Sequence, residues 1–553
     1  MLKDFQIHTC HQVVSHPVSD NCHPLIFYPK TVQLSLQRNA SLPISKLPIE
    51  ILSRIFTLVR ASYKWPRSSC WIWISHVCAY WRLVALSDSI LWSDIDISRK
   101  GLAEAMFLRS RMVPLSVHGQ LSEGCSLEMV RLISHNLHRI RYLSISSGFM
   151  RVNRSKGFLF PGLSGAAPLL EEAFLNFGCN KASPCLFTLQ DSFKLSPHLR
   201  TLELSNAYII WGPHCFLYCT LTLTTLALSR VNSPPLDELL SVFRSLSGLR
   251  SVSLLDCLPS GSTTDSLPQF PPVTLKYLEV LKISGPAMDC AAILFHLQHP
   301  ASTDVFIKGK ASIDDSLINR EYFSLIAKHF HLELTDPLGT VRTAGFLWEW
   351  EDTFKDYLEI TVSDQHRQLF RARLQVVYSP ETLHHGDSIL RQAFCTFFDT
   401  FNVFQLTTIE FFGIWSHLPS SVLHACCGTL PNLTVIKADS RHSLDTIWSA
   451  LGNTSPSSHT LHRWNQQNIT HSFPALTTLV IYQGSLIYRD IEKLIRMVKS
   501  RHECGAPIVD LKCNWFRSRH VPKLQEYISN PILLSEQSLD QDDYGCCGSV
   551  VVS

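Results

Sequence analysis

Six of the sixteen residues from His8 to His23 carry side chains that bind metals: His8, Cys10, His11, His16, Cys22 and His23. Zinc takes imidazole and thiolate in a tetrahedral set of four, but structural zinc sites draw those ligands from tighter paired spacings than these, so the stretch reads as an extension without a metal. Cys426-Cys427 lies in an apolar run and reads as core, His384-His385 stands in a loop-like stretch, and Cys546-Cys547 has no prenylation pattern around it. Nucleophilic and phosphate chemistry leave clearer marks, and these are missing: there is no G-x-S-x-G elbow, no G-x-x-x-x-G-K-S/T loop, no G-x-G-x-x-G and no H-E-x-x-H. No catalytic residue, cofactor or metal is expected. Recognition is the chemistry that remains. Binding hot spots favour tryptophan, and Trp348, Trp350, Trp415 and Trp448 are the candidates in the later part of the chain.

Nearer the start, the spacing points to helices. Pro48 suits the first position of a helix, where its missing N–H would have had no partner, and Glu50 puts a carboxylate at the positive helix end. Ile49, Leu52, Ile55 or Phe56, and Val59 then recur at three- and four-residue intervals as one apolar stripe. A second such stretch, Ile74, Val77, Cys78, Trp81, Val84 and Ala85, follows the polar and basic segment from Lys64 to Ser69, which predicts a bundle of two or three short helices. About fifty residues is small for an independent core, so packing against a partner is expected.

Leu47-Pro48, Glu50, Leu52, Ile55-Phe56, Val77-Cys78, Trp81-Arg82, Ala85-Leu86 and Leu91-Trp92 occur in an order and spacing that resembles the F-box, and most closely the F-box-like modules that open many large fungal proteins. The likeness covers roughly residues 45–97. The Arg60 to Trp73 segment is richer in tryptophan than the family pattern, which places the start of the second helix late. The resemblance implies an adaptor face of Leu47, Pro48, Ile51, Leu52, Ile55 and Phe56, packed on a Skp-type adaptor that bridges to a cullin. It implies that Val77, Cys78, Trp81, Leu86 and Trp92 hold the bundle together.

Behind this module an apolar triplet recurs, two residues and then one residue apart. The clearest are Ile140/Leu143/Ile145, Leu170/Ala173/Leu175, Leu199/Leu202/Leu204, Leu223/Leu226/Leu228, Leu249/Val252/Leu254 and Leu278/Leu281/Ile283. Their starts are 30, 29, 24, 26 and 29 residues apart, close to the interval of leucine-rich repeats. Pro168, Pro197, Pro431 and Pro474 each stand two residues before a repeat start, and a serine follows several triplets, as a strand entered from a turn would require. Helix candidates lie between: Asp237 to Leu246, Asp289 to Leu297, Asp315 to Phe330, Asp387 to Phe398, Ser420 to Thr429, Leu444 to Leu451 and Asp490 to Lys499, several opening on Asp or Ser in an N-cap role. Between 300 and 400 the period blurs, although Leu332-Glu-Leu334, Leu358-Glu-Ile360 and Leu374-Gln-Val376 look strand-like, and it returns at Leu406, Leu433 and Leu476. The asparagine or cysteine of the standard repeat appears, among the clear instances, only at Cys257.

The expected fold class is therefore α/β: an extension over 1–44, read as disordered; an F-box-like helical module over 45–97; an irregular solenoid of parallel strands and outer helices over 98–515, resembling the degenerate leucine-rich arrays that follow F-boxes; and a C-terminal segment over 516–553, disordered from about 535. A net charge of +3, thinly spread, makes no case for nucleic acid, and the 18 scattered cysteines without a C-x-x-C pair suit reduced thiols in the cytoplasm or nucleus. Ala207 to Leu228 has no charged side chain, but its Trp-Gly-Pro-His run and four threonines argue against a membrane span. The implied function is the substrate-recognition subunit of a Skp-cullin-F-box ubiquitin ligase, non-catalytic, with an unidentified target protein. The alternative is a leucine-rich-repeat scaffold or sensing protein that does not lead to degradation.

Overall fold

The computed structural model describes residues 29–62, 70–121, 126–147, 163, 165–177, 193, 195–259, 270–312, 318–332, 341–352, 355–364, 368–377, 386–413, 418–438, 441–452, 473–482, 488–513, 521–528 and 530–533. Two compact units divide the chain, Met1–Ser93 with Leu108–Arg111, and Asp94–Phe107 with Met112–Ser553.

The first unit is helical. It holds α1 (Pro29–Ser41), α2 (Ile49–Ser62) and α3 (Ala79–Ser87), with 3-10 turns at Pro43–Lys46, Cys70–His76 and Ser89–Trp92. The late second helix is present as expected, entered through a 3-10 turn that carries Trp71 and Trp73. Helix α1 falls in the stretch read from sequence as an extension. It has no apolar stripe to betray it, because Leu34 and Leu36 are both exposed.

The second unit is mixed α/β, built on a seventeen-stranded, mostly parallel sheet. Its first half runs β1 (Asp94–Asp96), α4 (Lys100–Arg109, whose last two residues belong to the first unit), β2 (Leu115–Leu121), α5 (Ser126–Asn136), β3 (Ile140–Ser147), β4 (Glu172–Phe177), β5 (Thr201–Ser205), β6 (Thr225–Ser229), α6 (Leu236–Ser245) and β7 (Ser251–Leu255). There follow β8 (Val273–Thr274), β9 (Val280–Pro286), α7 (Ala287–His296), β10 (Leu297–Gln298), β11 (Asp304–Ser312) and α8 (Ile318–His329); β8 and β10 form a separate two-stranded pair. Each strand from β1 to β7, and then β9 and β11, pairs in parallel with the next.

The triplets explain this order. Leu143, Ala173, Leu202, Leu226, Val252, Leu281 and Val305 are consecutive partners across the strands, and so are Ile145, Leu175, Leu204, Leu228, Leu254, Ile283 and Ile307. All fourteen side chains are buried. A strand alternates faces, so two residues apart means the same side, and each buried aliphatic side chain contributes about 2 kcal/mol. The first leucine of a triplet sits just before its strand and closes an i to i+3 turn: the amides of Leu170, Leu199, Leu223, Leu249 and Leu278 donate to the carbonyls of Ala167, Ser196, Thr220, Leu246 and Leu275. Strands β5, β6 and β7 are followed by Asn206, Arg230 and Asp256 in the left-handed region, a conformation cheap for Asn and Asp and costlier for Arg. The Cys257 thiol donates to the Leu228 carbonyl at 3.4 Å. Asn232 does related work that the sequence reading missed: its amide accepts from the Ile209 N–H at 2.7 Å and donates to the Ile209 carbonyl at 2.9 Å.

The remaining elements are β12 (Thr343–Asp352), β13 (Lys355–Ser363), β14 (Gln368–Val377), α9 (Gly386–Thr400), β15 (Thr408–Gly413), α10 (Ser420–Cys427), β16 (Val435–Ala438), α11 (Arg441–Gly452), β17 (Thr478–Ile481), α12 (Tyr488–Glu503), β18 (Asp510–Cys513), α13 (Val521–Gln525) and β19 (Asn530–Leu533). The expectation of parallel strands throughout fails here. β13 runs antiparallel to both β12 and β14, while β14 pairs in parallel with β11 and β12 in parallel with β15. The sheet order is thus β11, β14, β13, β12, β15, after which parallel pairing continues to β19. A meander needs no helix between its strands, and that is why the repeat interval vanishes there. Leu332 does not begin a strand; its amide closes the turn after α8 onto the Ala327 carbonyl, and residues 333 and 334 lie outside the described residues.

The seven expected helices are present as α6 to α12. Their N-caps differ from the expectation where they can be seen: Pro235, Pro286 and Pro419 precede α6, α7 and α10 without a side-chain cap, and Asp237 and Asp289 sit inside the first turn, where they favour the helix dipole. Helices α7 and α8 cover one sheet face closely enough that a Cβ on Gly309 would meet Ala287 at 3.1 Å and Tyr322 at 3.2 Å. Further along, Phe346 of β12 packs within 5.0 Å of Phe394 and 5.2 Å of Phe397 on α9, ring centre to ring centre.

A histidine pair closes the end of α8. The Nδ1 of His299 lies 3.0 Å from the Pro300 carbonyl, which only accepts, so that nitrogen holds the proton. The His299 Nε2 then accepts from the His329 Nε2–H at 2.9 Å. Burial, with the charges of His299 and His331 adding to it, lowers the His329 pKa to about 3, and burial also lowers His299. The nearby Lys328 ammonium lies over the Phe295 ring. In the unfolded chain His329 takes up its proton near 6.5, so between that pH and about 3 the unfolded state binds more protons than the folded one. Stability of this unit should be at its full value above the unfolded pKa and fall as the pH drops below it, by about 2 kcal/mol at pH 5 from His329 alone. Urea unfolding at a series of pH values checks this, and His329→Gln should flatten the acid limb.

Candidate functional site

In the first unit, α2 is held by residues brought from far along the chain. Leu52 and Phe56 are fully buried, and the Phe56 ring lies 5.2 Å from Trp81 of α3. Ser53 donates from its hydroxyl to Asp88, whose other carboxylate oxygen accepts from the Ile90 N–H at 3.0 Å and starts the last 3-10 turn. Arg60 reaches the Ile90 carbonyl at 2.6 Å, and the Tyr80 hydroxyl donates to the Leu47 carbonyl at 3.2 Å. Trp92 is the anchor. Its indole N–H donates to the Ala85 carbonyl at 2.8 Å, Trp71 meets it edge-on at 5.1 Å, and the Arg109 guanidinium lies 4.4 Å from its ring centre. Burial, and then the charge of Arg82, lowers the Arg109 pKa from its ordinary value.

The residues expected on one adaptor face are divided between two. Leu52 and Phe56 point into this unit's own core. Pro48 and Ile51 are exposed, and Leu47 and Ile55 are half-buried. The single stripe read from the sequence is in fact split: Leu52 and Phe56 turn inward, Ile51 and Leu58 turn outward, and Ile55 and Val59 lie half-buried at the two edges. Leu58, 59% exposed, was not among the expected face residues, although its spacing from Ile51 could have flagged it.

Of the expected bundle residues, Trp92 is fully buried, and Trp81 and Leu86 are half-buried. Cys78 caps α3, its sulfur accepting from the Trp81 N–H at 3.5 Å. Val77 is the exception: it is 59% exposed, because the N-cap geometry of Cys78 turns the residue before it away from the core. With Ile49, Trp73, Leu83 and Ile90 also exposed, twelve of the twenty large apolar side chains exposed among the described residues belong to this unit, which is much the smaller of the two. Single exposed apolar side chains are ordinary, but this unit carries far more of them for its size than the other does.

The second unit offers the sheet face away from its helices. Glu203, Ser253, Lys282, Phe306 and Arg371 alternate with the buried ladder and lie on that side. On it lies Glu359, mostly buried, which accepts from Arg373 Nε at 2.9 Å and Nη2 at 2.7 Å, with Arg371 Nε at 3.7 Å. The Arg373 guanidinium also lies 4.0 Å from the Tyr357 ring centre.

Of the tryptophans nominated for recognition, Trp448 is buried and belongs to the core. Trp415 and the side chains of Trp348 and Trp350 lie outside the described residues, as do the His8 to His23 cluster, His384-His385 and Cys546-Cys547. Of the pair read as core, Cys427 is fully buried, whereas Cys426, one position earlier on α10, is only half-buried. Among the described residues no group of three or more His, Cys, Asp and Glu could hold a metal ion, and no helix is long and apolar enough to cross a membrane. The Ala207 to Leu228 stretch holds a 3-10 turn at Phe216–Cys219 and part of β6.

No family model matches the chain, and no curated protein matches it.

Buried and exposed apolar side chains of this unit should differ sharply in what they contribute to its stability. Trp92→Ala should destabilise the first unit by about 3–5 kcal/mol in denaturant unfolding, whereas Leu83→Ser, at an exposed position, should change it by no more than about 0.5 kcal/mol.

Proposed function

We propose that the chain is the substrate-recognition subunit of a Skp-cullin-F-box ubiquitin ligase. In this reading the first unit is an F-box-like module that docks on a Skp-type adaptor, and through it a cullin, while the second unit is an irregular leucine-rich-repeat solenoid whose open sheet face holds a target protein. The observation that carries it is the concentration of exposed apolar side chains on the unit whose Leu47-Pro48, Trp81-Arg82 and Leu91-Trp92 spacing resembles the F-box. The in-register ladder of strands supports the second half. The docking face is Pro48, Ile51, Ile55 and Leu58, in place of the buried pair Leu52 and Phe56.

The mechanism is proximity. The receptor does no bond chemistry; it raises the effective concentration of target lysines near the ubiquitin-loaded enzyme, in the cytoplasm or nucleus. Neither nucleic acid, a membrane nor a cofactor is required.

Coexpression with a Skp-type adaptor tests the reading. The wild type should copurify, and the Ile51→Asp, Leu58→Asp double variant should bind about a hundredfold more weakly with its unfolding midpoint unchanged. Failure of the wild type to copurify would overturn the proposal. If the adaptor binds but the abundance of captured partners does not change when the protein is removed from its cell, the non-degradative scaffold is the better description.

A further inference from the structure

Helices α9 and α10 pack against each other, and at their seam the Cys426 thiol donates to the Cys395 sulfur across 3.8 Å. Cys395 follows the buried Phe394 on α9, and Cys426 stands between exposed Ala425 and buried Cys427 on α10. Both cysteines are half-buried, beside fully buried neighbours in the helix layer. We propose that Cys395 and Cys426 form a reversible peroxide-oxidised site, in which Cys395 is the attacking thiol and Cys426 the resolving one.

The geometry sets the roles. A sulfur that accepts a hydrogen bond is the one better able to carry the negative charge, and Arg391, one turn earlier on α9, adds to this. Against it stand partial burial and Asp399, one turn later, but the Cys395 pKa still lies below its ordinary value. Cys426, as donor and more deeply placed, has its pKa raised. Burial raises Cys427 too, along with Cys290, and takes Cys215 to about 11 and Cys257 to about 12, so these thiols stay protonated and slow to react.

The chemistry balances with a hydroperoxide as oxidant. The Cys395 thiolate attacks the terminal peroxide oxygen, an S–O bond forms, the O–O bond breaks, and the leaving alkoxide or hydroxide takes a proton. The Cys426 sulfur then attacks the sulfenic acid, the S–S bond forms, and the S–O bond breaks to release water with the proton from Cys426. Two thiols lose two electrons and the peroxide gains them. The sulfurs, 3.8 Å apart, must close by about 1.8 Å to reach bonding distance. The new bond would staple α9 to α10 across β15.

The test uses the reduced full-length protein and one equivalent of hydrogen peroxide, followed by alkylation and a glutamate-specific protease, which cuts between the two cysteines at Glu410. A cross-linked Cys395–Cys426 peptide, reversed by dithiothreitol, should form about tenfold or more ahead of oxidation at the exposed Cys219. In Cys426→Ser, dimedone should label Cys395; in Cys395→Ser it should leave Cys426 unlabelled. The proposal is overturned if Cys219 oxidises first in the wild type, or if dimedone labels Cys426 in Cys395→Ser as strongly as it labels Cys395 in Cys426→Ser. Neither result bears on adaptor binding.

Discussion

The second unit rests on one constraint: parallel strands placed in register, so that the two inward side chains of each strand stack on the two inward side chains of the next. From Leu143 to Val305 and from Ile145 to Ile307 the ladder is unbroken. Because a slip of one residue would turn every inward side chain outward, the pattern admits one register. The helices then have a continuous apolar face to cover, and the residues between the inward ones are free to be Glu203, Lys282 or Arg371. Any binding by that face is thus built on positions the core does not need.

The β12 to β14 meander shows how far that constraint bends. The strand that reverses, β13, still buries Leu358, Ile360 and Val362, and the parallel relation is restored because β14 returns beside β11 and β12 stands beside β15. On the sheet face away from the helices Glu359 is mostly buried, and it is tolerated there because Arg373 meets it with two donors. Single strands here were legible, since Leu358-Glu-Ile360 and Leu374-Gln-Val376 alternate as strands do. Their direction was not, because alternation has no sign.

The first unit depends on the opposite arrangement, a small core that leaves apolar surface over. Trp92, Trp71, Phe56 and Leu52 fill it. A helix with apolar residues at both i, i+4, i+7 and the neighbouring set has more apolar surface than one small bundle can cover, and α2 shows this with Ile51 and Leu58 outside and Ile55 half-covered. Tyr80 donates to the Leu47 carbonyl just before the helix, Arg60 of the helix donates to the Ile90 carbonyl, and Ser53 of the helix donates to Asp88, and together these bonds fix how the helix lies.

The sequence by itself determined the two kinds of structure, because periods of two and of three to four residues are properties of the local backbone. It placed the strand triplets and seven of the helices, and it set the absence of the phosphate, hydrolase and metalloprotease motifs. It also marked the residues of α2 that matter, without saying which face each would take. Tertiary structure alone decided that Leu52 and Phe56 turn inward while Val77 turns outward, that β13 runs backwards, that His299 meets His329 and that Cys395 meets Cys426. Each of these depends on which distant segment supplies the neighbour, and residues thirty positions apart leave no local period to read.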